Sequence, residues 1–418
     1  MPTSSPTLNR WSVLWGSVAI LMCTGAIYAF SVFAGPLGAA HHWSTPQVML
    51  AFTINGAVGP IPMILGGFII DRGSSRLLVL VGGLMFAAGF ILTGLATTTT
   101  ALYLSYGLLA GLGQGFAYSA CLNNTLKLFP DQRGRAAGII TGGMGAATVI
   151  AAPVANALIS SYSVTTAFVA MGSVYAVVII VGSLFIRQAP VGYAPEGWVR
   201  PTADGRAVNL DWAAMLKTPV FYMIFLMMGV GAFSGLMIAA NASGIGKGMF
   251  ALSAATAAVY VSIYSACNAL GRVAWGAVSD RIGYTNALLL IFGVVAVSML
   301  VLVTVSSTVG FAVGIVGLGL CFGGVMGVFP ALTMKNFGPR FQGINYGIMF
   351  TAYSVAAYFA PKLAADMGKA HNGDFTIAFQ IAIALAVVGA VLTLVFTRVQ
   401  KAHQDALAAP ARDSVAVA

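Results

Sequence analysis

Long stretches without charge dominate this chain of 418 residues and leave it few possible folds. Residues 11–70 contain no Asp, Glu, Lys or Arg, and neither do 77–126, 136–186 and 282–334. A helix needs about 20 apolar residues to cross the hydrocarbon core of a bilayer, so each of these stretches is long enough for two crossings. Shorter stretches at 218–246, 341–361 and 375–397 allow one each, as does 254–278, where Arg272 is the sole charge. The expected total is twelve spans, six on either side of a polar segment at 187–217 that carries Pro190, Pro195, Gly197, Pro201 and Gly205. Only 7% of residues are charged, against about 25% in soluble domains, and the mean hydropathy is +0.92. These values exclude a soluble enzyme, a disordered chain and a nucleic-acid-binding domain. The expected fold class is an all-α polytopic membrane protein.

The remaining charges set an orientation. With the N-terminus inside, sixteen Lys and Arg residues fall on the cytoplasmic side and three, Lys247, Lys362 and Lys369, fall outside. That imbalance predicts a cell inner (cytoplasmic) membrane protein with both termini cytoplasmic. It also accounts for the net charge of +10 without a nucleic-acid partner. The expected organisation is an N-terminal six-helix bundle over 1–189, a cytoplasmic linker over 190–217, a C-terminal six-helix bundle over 218–400 and a cytoplasmic tail over 401–418. The N-terminus shows no removable leader. Cys23, Cys121, Cys267 and Cys321 sit in apolar surroundings at spacings that match no metal motif, and read as small packing residues. No cofactor motif is present.

The two halves repeat. Asp71-Arg72 recurs as Asp280-Arg281, Gly67 as Gly276, Gly134 as Gly343 and Gly138 as Gly347, each at an offset of 209 residues. Related halves about an axis along the membrane normal place a substrate site between them near mid-membrane.

Arg272 is the candidate centre of that site. It lies eight residues before Asp280, roughly 12 Å along a helix, and so near the bilayer centre, where a bare Arg costs at least ~2.5 kcal/mol. No intramembrane acid is available to pair with it. A permanently charged, planar fork suits a carboxylate, which it binds at two points. Tyr260, Tyr264, Asn268 and Arg272 follow one another at intervals of four and share a helix face. Tyr28 in span 1, Gln114 and Tyr118 in span 4, and Tyr346 and Tyr353 in span 11 offer hydrogen bonds to a ligand or to Arg272.

The Gly67-x-x-x-Asp71-Arg72 motif between spans 2 and 3, repeated as Gly276-x-x-x-Asp280-Arg281 between spans 8 and 9, resembles the signature of the major facilitator superfamily. The resemblance narrows with Phe129-Pro130-Asp131-x-Arg133-Gly134, Asn268-x-x-x-Arg272 and Asn345-Tyr346-Gly347. Together these are similar to the oxalate/formate antiporter family, related to bacterial and mammalian monocarboxylate transporters, over essentially the whole chain. The resemblance implies the major facilitator fold, with twelve helices in two pseudo-symmetric bundles. It also implies a secondary transporter that moves small carboxylates by alternating access. Asp71, Arg72, Asp280, Arg281 and Arg133 would form its cytoplasmic gate, each Asp pairing with Arg and with a neighbouring helix N-terminus.

The departures from that family bear on the substrate. Its dicarboxylate exchangers carry a second cation in span 11, where this chain has Tyr353, and aromatics where it has Met144, Phe322 and Met326. One cation balances a monoanion, whereas a dianion would leave a surplus charge in low dielectric. The expected substrate is therefore a lactate-, pyruvate- or formate-like monocarboxylate, proton-coupled or exchanged for another anion. The alternatives are an oxalate/formate-type dicarboxylate antiporter and, more distantly, a non-transporting membrane sensor. Mammalian-type monocarboxylate transporters have an acid where Asn268 stands, so a protein-borne proton carrier is not visible. His41 and His42 read as solvated loop residues. The expected partners are the carboxylate, protons and the bilayer, with the chain acting as a monomer.

Overall fold

The helices begin where short polar side chains can cap them. Asn9 accepts the Trp11 N–H at 3.0 Å, Ser163 that of Thr166 at 3.0 Å, Thr218 that of Phe221 at 3.3 Å and Ser253 that of Thr256 at 3.1 Å. Such caps supply acceptors for N–H groups that have no partner within the helix. The structure, a computed structural model, describes residues 9–73, 75–190, 193–195, 197–198 and 209–408. Residues 191–192, 196 and 199–208 of the expected linker and residues 409–418 of the expected tail lie outside the described residues.

Among the described residues, twelve long helical segments follow one another: α1 Arg10–His41, α2 Thr45–Ile70, α3 Ser75–Gly94, α4 over 99–128, α5 Arg133–Ser161, α6 Val164–Phe185, α7 Pro219–Phe250, α8 Ala254–Ile282, α9 Tyr284–Thr304, α10 Thr308–Phe337, α11 over 342–370 and α12 Thr376–Ala408. The last continues to Ala408, past residue 400 where the C-terminal bundle was expected to end. A short helix, Trp212–Leu216, precedes α7.

Nine of the described segments are long and apolar enough to cross a membrane by length and composition. The other three are α4, α8 and α11, and their polarity has a common cause. They carry Gln114 and Tyr118, Asn268 and Arg272, and Tyr346 and Tyr353 respectively. Polar groups within a span face the interior of a bundle or a water-filled cavity. The candidate site residues Gln114, Tyr118, Asn268, Arg272, Tyr346 and Tyr353 thus lie on the three least apolar segments.

Three segments are irregular. A 3₁₀ turn, Gly25–Ala29, interrupts α1; a π-helical stretch, Tyr103–Ala110, lies in α4; and α11 breaks at Phe350. Side chains satisfy the irregular backbone, as they must inside a membrane. The Tyr106 hydroxyl donates to the Ile27 carbonyl at 2.8 Å, and the Asn55 amide to the Tyr106 carbonyl at 3.0 Å.

The two halves meet through α2 against α11 and through α5 against α8 and α10. Glycine makes these crossings possible. A Cβ added at Gly67 would fall 2.2 Å from the Gly343 carbonyl, and one at Gly276 2.2 Å from that of Gly134. One turn deeper, a Cβ at Gly138 would fall 2.2 Å from the Arg272 carbonyl, and one at Gly347 2.6 Å from that of Met63. Both crossings use the same positions of the 209-residue repeat. They lie at the end of the molecule where the Lys and Arg residues gather. At the opposite end, the outer segments of α1 and α11 pack extensively only within their own halves. Tyr28, in the interior of α1, is consequently 44% exposed. The chamber between the halves is closed at the charged face and open at the other.

Gly138→Val should separate α5 from α8, because overpacking a tight contact costs about 1–3 kcal/mol. Spin labels at positions 135 and 281 should report a longer distance distribution than in the native chain; an unchanged distribution would contradict this account of the closure.

Candidate functional site

Arg272 is buried, with 8% exposure, in the interior of α8. Small residues surround it on two helices. Added Cβ atoms would fall 2.7 Å from its backbone nitrogen at Gly323 and 2.5 Å from its carbonyl oxygen at Gly327, both on α10. On α5, Gly145 lies against the guanidinium, where a Cβ would sit 3.3 Å from Nε. The side chain is held at two points. Its Nε donates to Asn268 Oδ1 at 2.9 Å, and Nη1 donates across the halves to the Thr141 carbonyl at 2.9 Å. The sequence suggested a fork with no protein partner, and the structure instead gives it two neutral acceptors. These occupy two of the five N–H donors of a guanidinium and leave its charge uncompensated.

Tyrosines surround that charge. Tyr28, Tyr118, Tyr264, Tyr346 and Tyr353 all lie within electrostatic range of Arg272. The Tyr28 hydroxyl approaches the Gln114 side chain, and the Tyr118 and Tyr346 hydroxyls face each other. Tyr264 plays a different part: its proton goes to the Gly235 carbonyl at 2.6 Å, which fixes α8 to α7. Phe322 lies between Tyr264 and Tyr353, with ring centroids 6.4 and 6.5 Å away. Met144 and Met326 are buried in the same core. Sequence reasoning missed Phe350, which joins the two aromatic groups at 4.7 Å from Tyr353, 5.9 Å from Tyr346 and 6.2 Å from Tyr118. Its only signal was its place in the run from Tyr346 to Tyr353.

At the charged face the two repeated carboxylates make equivalent contacts. Asp71 accepts the N–H groups of Gly343 at 3.1 Å and Ile344 at 3.0 Å, at the start of α11. Asp280 accepts those of Gly134 at 2.9 Å and Arg135 at 2.8 Å, at the start of α5. Each carboxylate therefore caps a helix of the opposite half, where the helix dipole favours negative charge. The adjacent arginines are not their partners. Arg72 stacks on Phe68 and donates to the carbonyl of that residue at 3.2 Å, while Arg281 is exposed. Asp71 pairs instead with Lys127 at 3.0 Å, and Asp280 accepts the Tyr284 hydroxyl at 3.1 Å. Burial raises the Asp71 carboxyl from its ordinary value, against Lys127 and the two N–H groups, which lower it. Arg133 begins α5 beside this contact, within electrostatic range of Tyr284 and Lys335.

The Major Facilitator Superfamily pattern matches residues 14–361. An oxalate:formate antiporter of Oxalobacter formigenes is 30% identical over 396 residues, covering 93% of this chain and 92% of that protein. Monocarboxylate transporter 12 of Mus musculus is 30% identical over 154 residues, 37% of this chain and 32% of that one. Two solved structures share the fold. The proton:xylose symporter XylE superposes with a TM-score of 0.73 at 13% identity, over 93% of this chain and 95% of its own. FucP in the outward conformation gives 0.67 at 14% identity, over 93% and 98%.

Asp280→Asn should loosen the cap on α5, since a hydrogen bond to a charged group contributes about 1.5–3 kcal/mol. Deuterium exchange of the Gly134 and Arg135 amides should accelerate about tenfold or more; protection equal to that of the native chain would show that the carboxylate does not hold this end shut.

Proposed function

The chain belongs to the Major Facilitator Superfamily, and from that membership and the chamber around Arg272 we propose a secondary transporter of small monocarboxylates working by alternating access. Its multiple apolar helices are those of a multi-pass membrane protein. The charged face is the cytoplasmic one on the positive-inside argument, with linker and termini on that side of a cell inner membrane. The captured conformer then receives substrate from outside.

The observation that carries this reading is Arg272, a buried cation with only neutral partners. Among the described residues Arg10 pairs with Asp131 and Lys127 with Asp71, and neither pair involves Arg272. Burying such a charge without compensation is costly, and a bound carboxylate relieves that cost. In the proposed complex the free guanidinium donors take the carboxylate, and Tyr118, Tyr346 and Tyr353 offer hydroxyl donors around it. The Phe322 and Phe350 rings and the Met144 and Met326 side chains keep water out. The net charge of this assembly is zero for a monoanion. Asn268 cannot carry a proton, so this position supplies no proton carrier.

A second reading, a dicarboxylate exchanger, is supported by the 30% identity to the oxalate:formate antiporter. Tyr353 favours the monocarboxylate, because it stands within range of Arg272 without adding the second cation a dianion needs.

Arg272→Gln should abolish carboxylate uptake into proteoliposomes, and Arg272→Lys should reduce it at least about tenfold, because an ammonium cannot reproduce the planar two-point contact. Uptake by the Gln variant at the native rate would overturn the assignment.

A further inference from the structure

The 209-residue repeat extends to the charged face, and there it shows a reversal of charge. Asn9, which caps α1, corresponds to Thr218, which caps α7, so Arg10 and Pro219 are the equivalent first residues of those helices. Asp131, two residues before α5, corresponds to Arg340, two residues before α11, and Lys127 corresponds to Asn336. The start of α11, which Asp71 caps, thus has Lys127 paired with that carboxylate and a cation in the preceding loop. The start of α5, which Asp280 caps, has a second carboxylate in its preceding loop instead. Two carboxylates at one helix N-terminus repel each other and compete for the same dipole.

Arg10 answers that second carboxylate. Its Nη1 and Nη2 donate to the two oxygens of Asp131, the latter at 3.0 Å, in the two-point geometry that makes such pairs strong. Both side chains are largely buried. The guanidinium also stacks, with Cζ 4.6 Å from the Phe129 ring centroid, and Trp11 meets Phe129 edge-on at 5.1 Å. Gln132 Nε2 adds a neutral donor to Asp131 at 3.3 Å. Arg135 gives its backbone N–H to Asp280, while its guanidinium lies 5.7 Å from the Trp11 ring and donates to Gln132 Oε1 at 3.1 Å. The start of α1 is therefore packed on the same turn, Asp131 to Arg135, that the opposite half grips. Asp131 and Asp280 lie within electrostatic range of each other. Arg133 and Lys335 bring positive charge to Tyr284, the hydroxyl partner of Asp280; Arg10 brings it to Asp131.

We propose that Arg10 is a positioning residue for transport: by neutralising Asp131 it keeps the N-terminus of α5 free for Asp280, and so holds the charged face closed from the first residue of α1. Without Arg10, an ionised Asp131 opposes Asp280 at the same helix end. The equilibrium then shifts toward the conformer in which the halves are apart at this face.

Hydrogen exchange of the Gly134 and Arg135 amides on the purified full-length protein tests this. It needs no substrate, so its outcome is independent of what Arg272 binds. Arg10→Gln should accelerate exchange about threefold or more, as expected for the loss of a well-formed ion pair. Adding Asp131→Asn to that variant should restore the native rate, because the charge that Arg10 answers is then gone. Arg10→Lys should lie between, since it keeps the charge without the fork. The acceleration should shrink in about 1 M salt, where the screening length is about 3 Å. Native exchange rates in Arg10→Gln would overturn the proposal. So would a double variant as fast as the single one, which would assign Arg10 to packing on Phe129 and Trp11. The Thr166 amide at the start of α6, at the opposite end of the molecule, reports general loosening. If Arg10→Gln speeds that amide equally, the effect does not belong to the charged face and the proposal fails.

Discussion

A positive charge held in the middle of a membrane protein is the constraint around which this molecule is organised. Among the described residues Arg272 has no acidic partner. The surrounding structure limits the cost in two ways. Neutral acceptors, Asn268 and the Thr141 carbonyl, take two of its N–H groups. Two helices close tightly round it through Gly138, Gly323 and Gly327, whose missing side chains let α5 and α10 reach the α8 backbone. On the proposed reading a bound carboxylate balances the charge. One of its two acceptors lies on the opposite half, so the side chain bridges the two halves.

The closure at the charged face depends on the same pairs of helices. Each half ends its second span in a carboxylate that caps a helix of the other half, and paired glycines hold the backbones close enough for the bond. The two contacts differ in electrostatic support. Asp71 has Lys127 beside it, whereas Asp280 has the Tyr284 hydroxyl. Opening one contact separates an ion pair from the amides it helps to hold; opening the other breaks hydrogen bonds to a carboxylate. The pseudo-twofold symmetry therefore belongs to the backbone and is not carried through to the charges.

Much of this was legible in the sequence. Gaps between charges located the helices, and the 209-residue offset of the Asp-Arg and glycine motifs paired the crossings that the structure forms. Arg272 stood out because charge is scarce where it lies. The partners were harder to read. The Thr141 carbonyl is a backbone group, and no residue type marks it. Arg72 and Arg281 adjoin the carboxylates in sequence, yet helix geometry directs them away from the contact, while Lys127, distant in the chain, folds onto it. Tyr264 shares the arginine's helix face, but a turn or two away that face meets α7, so its hydroxyl is fixed to the scaffold. Phe350 sits at a break in α11 that no proline or glycine announces.

The central claim is that one uncompensated cation sets the charge of the ligand. Calorimetric titration of the purified native protein with lactate and with oxalate, at a pH where both are fully ionised, tests it directly. The account predicts tighter binding of lactate, because a monoanion neutralises Arg272 and a dianion leaves a surplus negative charge beside it in low dielectric. Tighter binding of oxalate would contradict it, and would mean that a second positive group, absent from the contacts described for Arg272, faces the site.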